Sequence, residues 1–191
     1  MALSWNEIKN RAINFSKEWE TEQKEHAESQ SFWNDFFNIF GISRKRVASF
    51  EEPVKKLGEK RGRIDLFWKG TLLVEHKSRG KDLDKAYTQA LDYFPGLKEA
   101  ELPKYILISD FEIFKLYDLE DDKNYEFTLS ELYKNVHLFR KYLRKTVYNF
   151  FLRKEEDCSI SSEIFLNPTT RRIKKQVAKA ASGIITEFVR K

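Results

Sequence analysis

A chain of 191 residues with 41% hydrophobic and 15% aromatic side chains carries enough apolar material for a substantial core, which excludes disorder as its overall state. Its one cysteine, Cys158, rules out an internal disulfide, reads as an ordinary thiol and fits a reducing compartment, with the cytoplasm as the default. The net charge of +5 arises from 35 basic and 30 acidic residues, which excludes a polycationic tail protein, and no apolar run has membrane-spanning length or the form of a secretory signal.

In chain order, Ser4 and Glu7 form a capping box that opens a helix, with Trp5, Ile8, Ala12, Phe15 and Trp19 at helical spacing. A charged turn through Glu22 and Glu25 leads to a second helix carrying Phe32, Trp33, Phe36, Phe37 and Phe40, ended by Gly41. Strands are expected near Arg46 to Glu51, Arg63 to Trp68 and Thr71 to Lys77. Asp82 then caps a helix that Pro95-Gly96 stops near Phe94. Two more strands, Tyr105 to Ser109 and Glu112 to Tyr117, flank an Asp110-Phe111 turn, and helices follow. The pattern predicts an α/β (α+β) fold with a mixed five-stranded sheet flanked by helices over residues 1–145, and a helical extension over 146–191. The chain stops inside an amphipathic pattern (Ile173, Val177, Ala180, Ile184, Phe188), as expected of a piece of a longer protein.

The chemistry is concentrated between Asp65 and Tyr93. An E-x-K triplet alone is usually an exposed salt-bridging edge. Here Glu75-His76-Lys77 closes an apolar strand (Leu72, Leu73, Val74), has Asp65 one hairpin upstream, and precedes a helix bearing Gln89 and Tyr93. Side chains two apart in a strand share a face, so Glu75 and Lys77 point together and His76 points away. Two carboxylates side by side repel unless a cation lies between them. A two-residue Lys69-Gly70 loop would turn Asp65 away from Glu75. A three-residue loop, Trp68-Lys69-Gly70, instead sets Asp65 opposite Leu73, diagonal to Glu75, with glycine where a left-handed residue is needed. On the following helix Leu83, Ala86, Ala90 and Phe94 form the buried stripe, with Lys85, Gln89 and Tyr93 on its flank. His26, His76 and His137 lack the spacing of a zinc set, so His76 is expected in the core.

Basic residues gather at Arg44-Lys45-Arg46, at Lys55, Lys56, Lys60, Arg61 and Arg63, and at Arg171, Arg172, Lys174 and Lys175. The first two groups abut the carboxylates and, with Arg79 and Lys81, are candidates for contacts to DNA phosphates.

The combination Asp65, Glu75-His76-Lys77 matches the PD-(D/E)xK nuclease pattern, with Ile64 at the proline position, and Gln89-x-x-x-Tyr93 resembles the extra motif of RecB-like members. The runs Ala27 to Phe37, Arg46 to Glu51, Gly62 to Gly70 and Glu75 to Leu83 more closely resemble the N-terminal endonuclease domain of type IIL restriction-modification enzymes. Those are single polypeptides that join a nuclease, a helical spacer, an adenine methyltransferase and a recognition domain. Methyltransferase signatures are absent here, since Asn167-Pro168 continues into Thr169-Thr170. The resemblance implies double-stranded DNA as substrate, a methyltransferase and recognition domain in the full polypeptide, a transient dimer for cleavage and no membrane partner. It also implies that the His76 backbone carbonyl joins Asp65 and Glu75 as a metal ligand, and that Glu28 is the early-helix acid that approaches the metal. The expected cofactor is Mg²⁺, with Mn²⁺ as a substitute, because an octahedral oxygen set suits it. Lys77 would orient the attacking water or offset charge on phosphorus, Gln89 would position the nucleophile or phosphate, and Tyr93 would support. The competing expectations are a catalytically idle DNA-binding domain of this fold and a stand-alone RecB-like repair nuclease.

Overall fold

The computed structural model describes residues 3–22, 25–56 and 61–139, so the expected extension over 146–191, the third basic group and Lys60 lie outside the described residues. The first helix, α1 (Trp5–Glu18), starts where the Ser4 hydroxyl accepts the Glu7 N–H at 3.2 Å, and it is braced by an Arg11–Glu7 ion pair at 2.7 Å. It packs on α2 (Glu25–Ile39), whose Phe32, Trp33, Phe36 and Phe37 are buried. Gly41, at φ +70°, ends that segment in the left-handed conformation.

The sheet has six strands in chain order: β1 (Ser49–Lys55), β2 (Arg61–Trp68), β3 (Leu72–His76), β4 (Tyr105–Ser109), β5 (Ile113–Asp118) and β6 (Lys123–Thr128). Neighbours are antiparallel except β3 and β4, which run parallel because α3 (Leu83–Asp92) makes the crossover between them. Every residue of β3 and β4 is buried, as befits central strands covered on both faces. Leu66, Trp68, Leu72, Val74, Tyr105 and Leu107 face α1, α2 and the helical residues 132–139, while Phe67, Leu73, Ile106 and Ile108 face α3.

Three expectations need correction. The sheet has six strands, not five: β6 is a polar edge in which only Phe127 is buried, so it lacks the apolar run that reveals a strand. The first strand begins at Ser49, and Arg44–Arg46 form a 3₁₀ turn. There the Arg44 guanidinium bonds Asn34 Oδ1 and the Ala48 carbonyl, each at 3.0 Å, and lies over the Phe50 ring. The third concerns register. Trp68 pairs with Leu72, leaving Lys69-Gly70-Thr71 as the loop, because the buried Trp68 ring packs on Phe37 and belongs to the strand. The loop still has three residues and Gly70 still has positive φ, at +69°. The frame moves by two residues, an even number, so parity is kept, and the register carried one step past Leu66–Val74 sets Asp65 on the side of Glu75.

Alternation breaks beside the site. Leu66 belongs to the α1/α2 layer and Ile64 to the α3 layer, and across the strand pair Phe50 and Val54 are divided in the same way. Between them Glu51 adopts φ +53°, a strained angle for glutamate, and both strands rotate there.

Candidate active site

The apolar run 72–74 drives β3 into the centre of the sheet and carries Glu75 with it to 1% exposure. A carboxylate in that position needs partners. Glu75 Oε1 accepts the Lys77 ammonium at 2.7 Å and the Gln89 side-chain amide. The same Gln89 amide nitrogen donates to Tyr93 Oη at 2.8 Å, and Tyr93 Oη donates to the Arg63 carbonyl at 2.7 Å. Lys77 Nζ also lies 3.4 Å from Gln89 Oε1. The i, i+4 spacing on α3 therefore turns one helix flank into a clamp that ties β3 to β2. Beyond the last ladder pair, Leu66 with Val74, Asp65 Oδ2 accepts the His76 backbone N–H at 2.7 Å.

Burial, and then the neighbouring Asp65 charge, push the Glu75 carboxyl up to about 7, against the lowering effect of Lys77. Burial and the Glu75 charge also raise the Tyr93 hydroxyl, which stays protonated and keeps donating. Glu75 Oε2 is buried and, among the described residues, has no hydrogen-bond partner. An orphan carboxylate oxygen beside a second carboxylate has the chemistry of a divalent-cation site, and the donor set of Asp65 and Glu75 fits Mg²⁺, which is commonly held through one or two carboxylates plus substrate phosphate.

His76 lies on the opposite face at 0% exposure, ringed by Phe32, Trp33 and Phe111 at centroid distances of 5.3, 5.6 and 4.3 Å. Burial and then Lys77 lower its pKa to about 3, so it is a neutral core side chain, as its place in the strand implied. Glu28 does not gather with the other two acids. Among the described residues no three His, Cys, Asp or Glu side chains form a group able to hold a metal.

The basic candidates separate. Lys55 and Arg61 are exposed and directly opposed across β1 and β2, and the exposed Arg63 sits two residues on. Lys56 folds back so that Nζ lies 4.8 Å from the Tyr93 ring centroid. Lys81 is exposed. The Arg79 guanidinium is engaged within the protein, donating to the Glu20 carbonyl at 2.8 Å and pairing with Glu112 at 3.9 Å.

One positioning residue escaped sequence reasoning. Asp110, 3% exposed, accepts the Gly80 N–H at 2.9 Å through Oδ2, and the Glu112 and Ile113 N–H groups through Oδ1. It fastens the loop after Lys77, where Gly80 has φ +78°, to the β4–β5 turn, and the Lys77 N–H is held by the Ser109 carbonyl at 2.8 Å. In the sequence Asp110 is indistinguishable from an ordinary turn aspartate.

The family model described as MmeI, N-terminal domain, matches residues 10–184. No curated protein matches the chain significantly. A solved structure described as a cryoEM structure of a DrdV-DNA complex is similar over 63% of this chain and 12% of that one, with a TM-score of 0.44 and 14% identity.

Proposed function

The chain belongs to the MmeI N-terminal domain family of type IIL restriction enzymes, and on that premise we propose that it is a Mg²⁺-dependent DNA-cleaving module built on a PD-(D/E)xK core. The observation that carries this reading is the buried Glu75, with one oxygen unpartnered, facing Asp65 and bonded to Lys77 at 2.7 Å. A structural role would favour a well-packed apolar side chain at the centre of β3, since burying this carboxylate raises its pKa to about 7.

Asp65 and Glu75, with the His76 carbonyl, would hold the divalent ion, which when bound supplies positive charge for the phosphate and acidifies its water ligand. Lys77 holds its ammonium at the rim of the site, where it can orient the attacking water and offset the negative charge that grows on phosphorus. Gln89 fixes the Glu75 carboxylate through Oε1 and leaves Oε2 for the metal. Tyr93 anchors Gln89 to the Arg63 backbone and so acts as support. Lys55 and Arg61, like charges directly opposed across two strands, repel in the absence of an anion, which suits a phosphate backbone passing over them. A methyltransferase and a recognition domain in the same polypeptide would supply the address, and a transient dimer would cut both strands.

The deciding experiment is plasmid cleavage with and without Mg²⁺. Asp65→Ala and Lys77→Ala each lower Mg²⁺-stimulated cutting by about a thousandfold or more, as expected when charge at the reacting centre is removed, with the circular dichroism spectrum preserved. Retained cutting by Asp65→Ala refutes the assignment.

A further inference from the structure

Lys56 is the first residue beyond β1, and its side chain runs toward α3 and ends over Tyr93. Space for that path comes from Gly62, which pairs with Val54 across the strands. A Cβ at position 62 would overlap Lys56 Cε and lie 2.9 Å from both Lys56 Cγ and Tyr93 Cε1. Position 62 therefore forms the floor of a trough in which the lysine stem lies. The ring at the far end attracts the ammonium without neutralising it, as the face of a tyrosine does for a cation. Tyr93 is itself bonded to Gln89, and Gln89 to Glu75, so this ammonium stands on the edge of the carboxylate clamp. Its charge is felt at Glu75. Lys77, in contrast, already gives a hydrogen to Glu75. Among the described residues Lys56 has no ion-pair partner.

We propose that Lys56 is a second cation of the hydrolytic centre, held by the Tyr93 ring and the Gly62 trough so that it grips a nonbridging oxygen of the phosphate being cut. This rests on the nuclease reading and adds a residue to it. Hydrolysis passes from a singly charged diester to a more highly charged transition state, and a cation held in place by a neutral ring offsets that growth without reorganising. Lys55 makes the useful contrast, since it is exposed on the strand and its ammonium is not seated over the Tyr93 ring.

The test compares the cleavage rate at saturating plasmid in Mg²⁺ with duplex affinity measured in Ca²⁺, using the 191-residue chain. Lys56→Ala should lower the rate by about 10- to 100-fold while changing Kd by less than about 3-fold, the signature of a contact made in the transition state. Lys56→Arg should recover part of the loss. Gly62→Ala, which keeps the lysine but fills its trough, should lower the rate in the same direction. Lys55→Ala should weaken Kd more than Lys56→Ala does and lower the saturated rate less. A Lys56→Ala variant that weakens Kd and leaves the saturated rate unchanged overturns the proposal. If the wild-type chain does not cut on its own, the nuclease reading is tested in the full-length polypeptide, and Lys56 is judged by NMR titration with dimethyl phosphate. The Lys56 ε-methylene and Tyr93 ring signals should move together, and the Tyr93 response should vanish in Lys56→Ala. A Tyr93 response that survives the substitution, or shifts confined to other lysines, overturns the proposal independently of activity.

Discussion

Glu75 is where the proposed chemistry and stability conflict. Its pKa rises from 4.5 to about 7 on folding, so the folded state holds its proton more tightly than the unfolded chain does. The sign follows from linkage: the stability associated with the proton is fully present below about pH 4.5 and is lost as pH rises to about 7. The loss amounts to about 3 kcal/mol above neutrality. Glu75→Gln keeps an acceptor for Lys77 and removes the titration. It should melt higher than wild type at pH 8 and show little or no advantage at pH 5, as followed by thermal circular dichroism. A divalent ion must displace the same proton, so Mg²⁺ should raise the wild-type melting temperature more at pH 8 than at pH 6 and have no such effect on Glu75→Gln. Equal Mg²⁺ shifts at both pH values would place the ion elsewhere. His76 acts in the other direction, because its pKa falls to about 3 and its contribution is lost as pH drops below about 6.5.

At the scale of elements, the β2–β3 hairpin decides whether a site exists. Its register was legible in parity though not in frame. Counting residues between Asp65 and Glu75 requires a three-residue loop with a left-handed glycine, and both features are present. Which three residues form it depends on where the Trp68 ring packs, a tertiary contact with α2 that no local pattern contains. The face change at Glu51 is hidden for a similar reason, since glutamate is not a residue that announces positive φ. The helix flank Gln89 and Tyr93 was legible because helical spacing is rigid, whereas Asp110 looked like any turn residue. Gly70 offers the direct test. Its φ of +69° penalises a Cβ, which would also sit 3.2 Å from the Ala100 carbonyl. Gly70→Ala should therefore destabilise by about 1–2 kcal/mol. Gly80→Ala has φ +78° but nothing within 4 Å, so it should cost less. If Gly70→Ala melts with wild type, the loop does not hold the register.

For the whole molecule, the question is what fixes affinity for DNA. A net charge of +5 is too small to act as a general field, and its arrangement carries the effect. Lys55 and Arg61 oppose each other at one end of the β1–β2 ladder, and Arg63 follows two residues before Asp65 on the same strand. Such contacts read phosphates and not base edges, and a cleavage module tethered to a recognition domain can rely on high local concentration instead of intrinsic affinity. The chain should bind unrelated duplexes with equal, weak affinity that falls steeply with salt, log Kd changing by about 0.9 per phosphate neutralised for each decade of salt. Replacing Lys55 and Arg61 together by alanine should reduce that slope by about 2 and weaken binding uniformly across sequences. Fluorescence anisotropy on several duplexes over a salt series measures both quantities at once. Tight, salt-insensitive binding to one sequence would mean that these residues read base edges, and that the chain carries its own address.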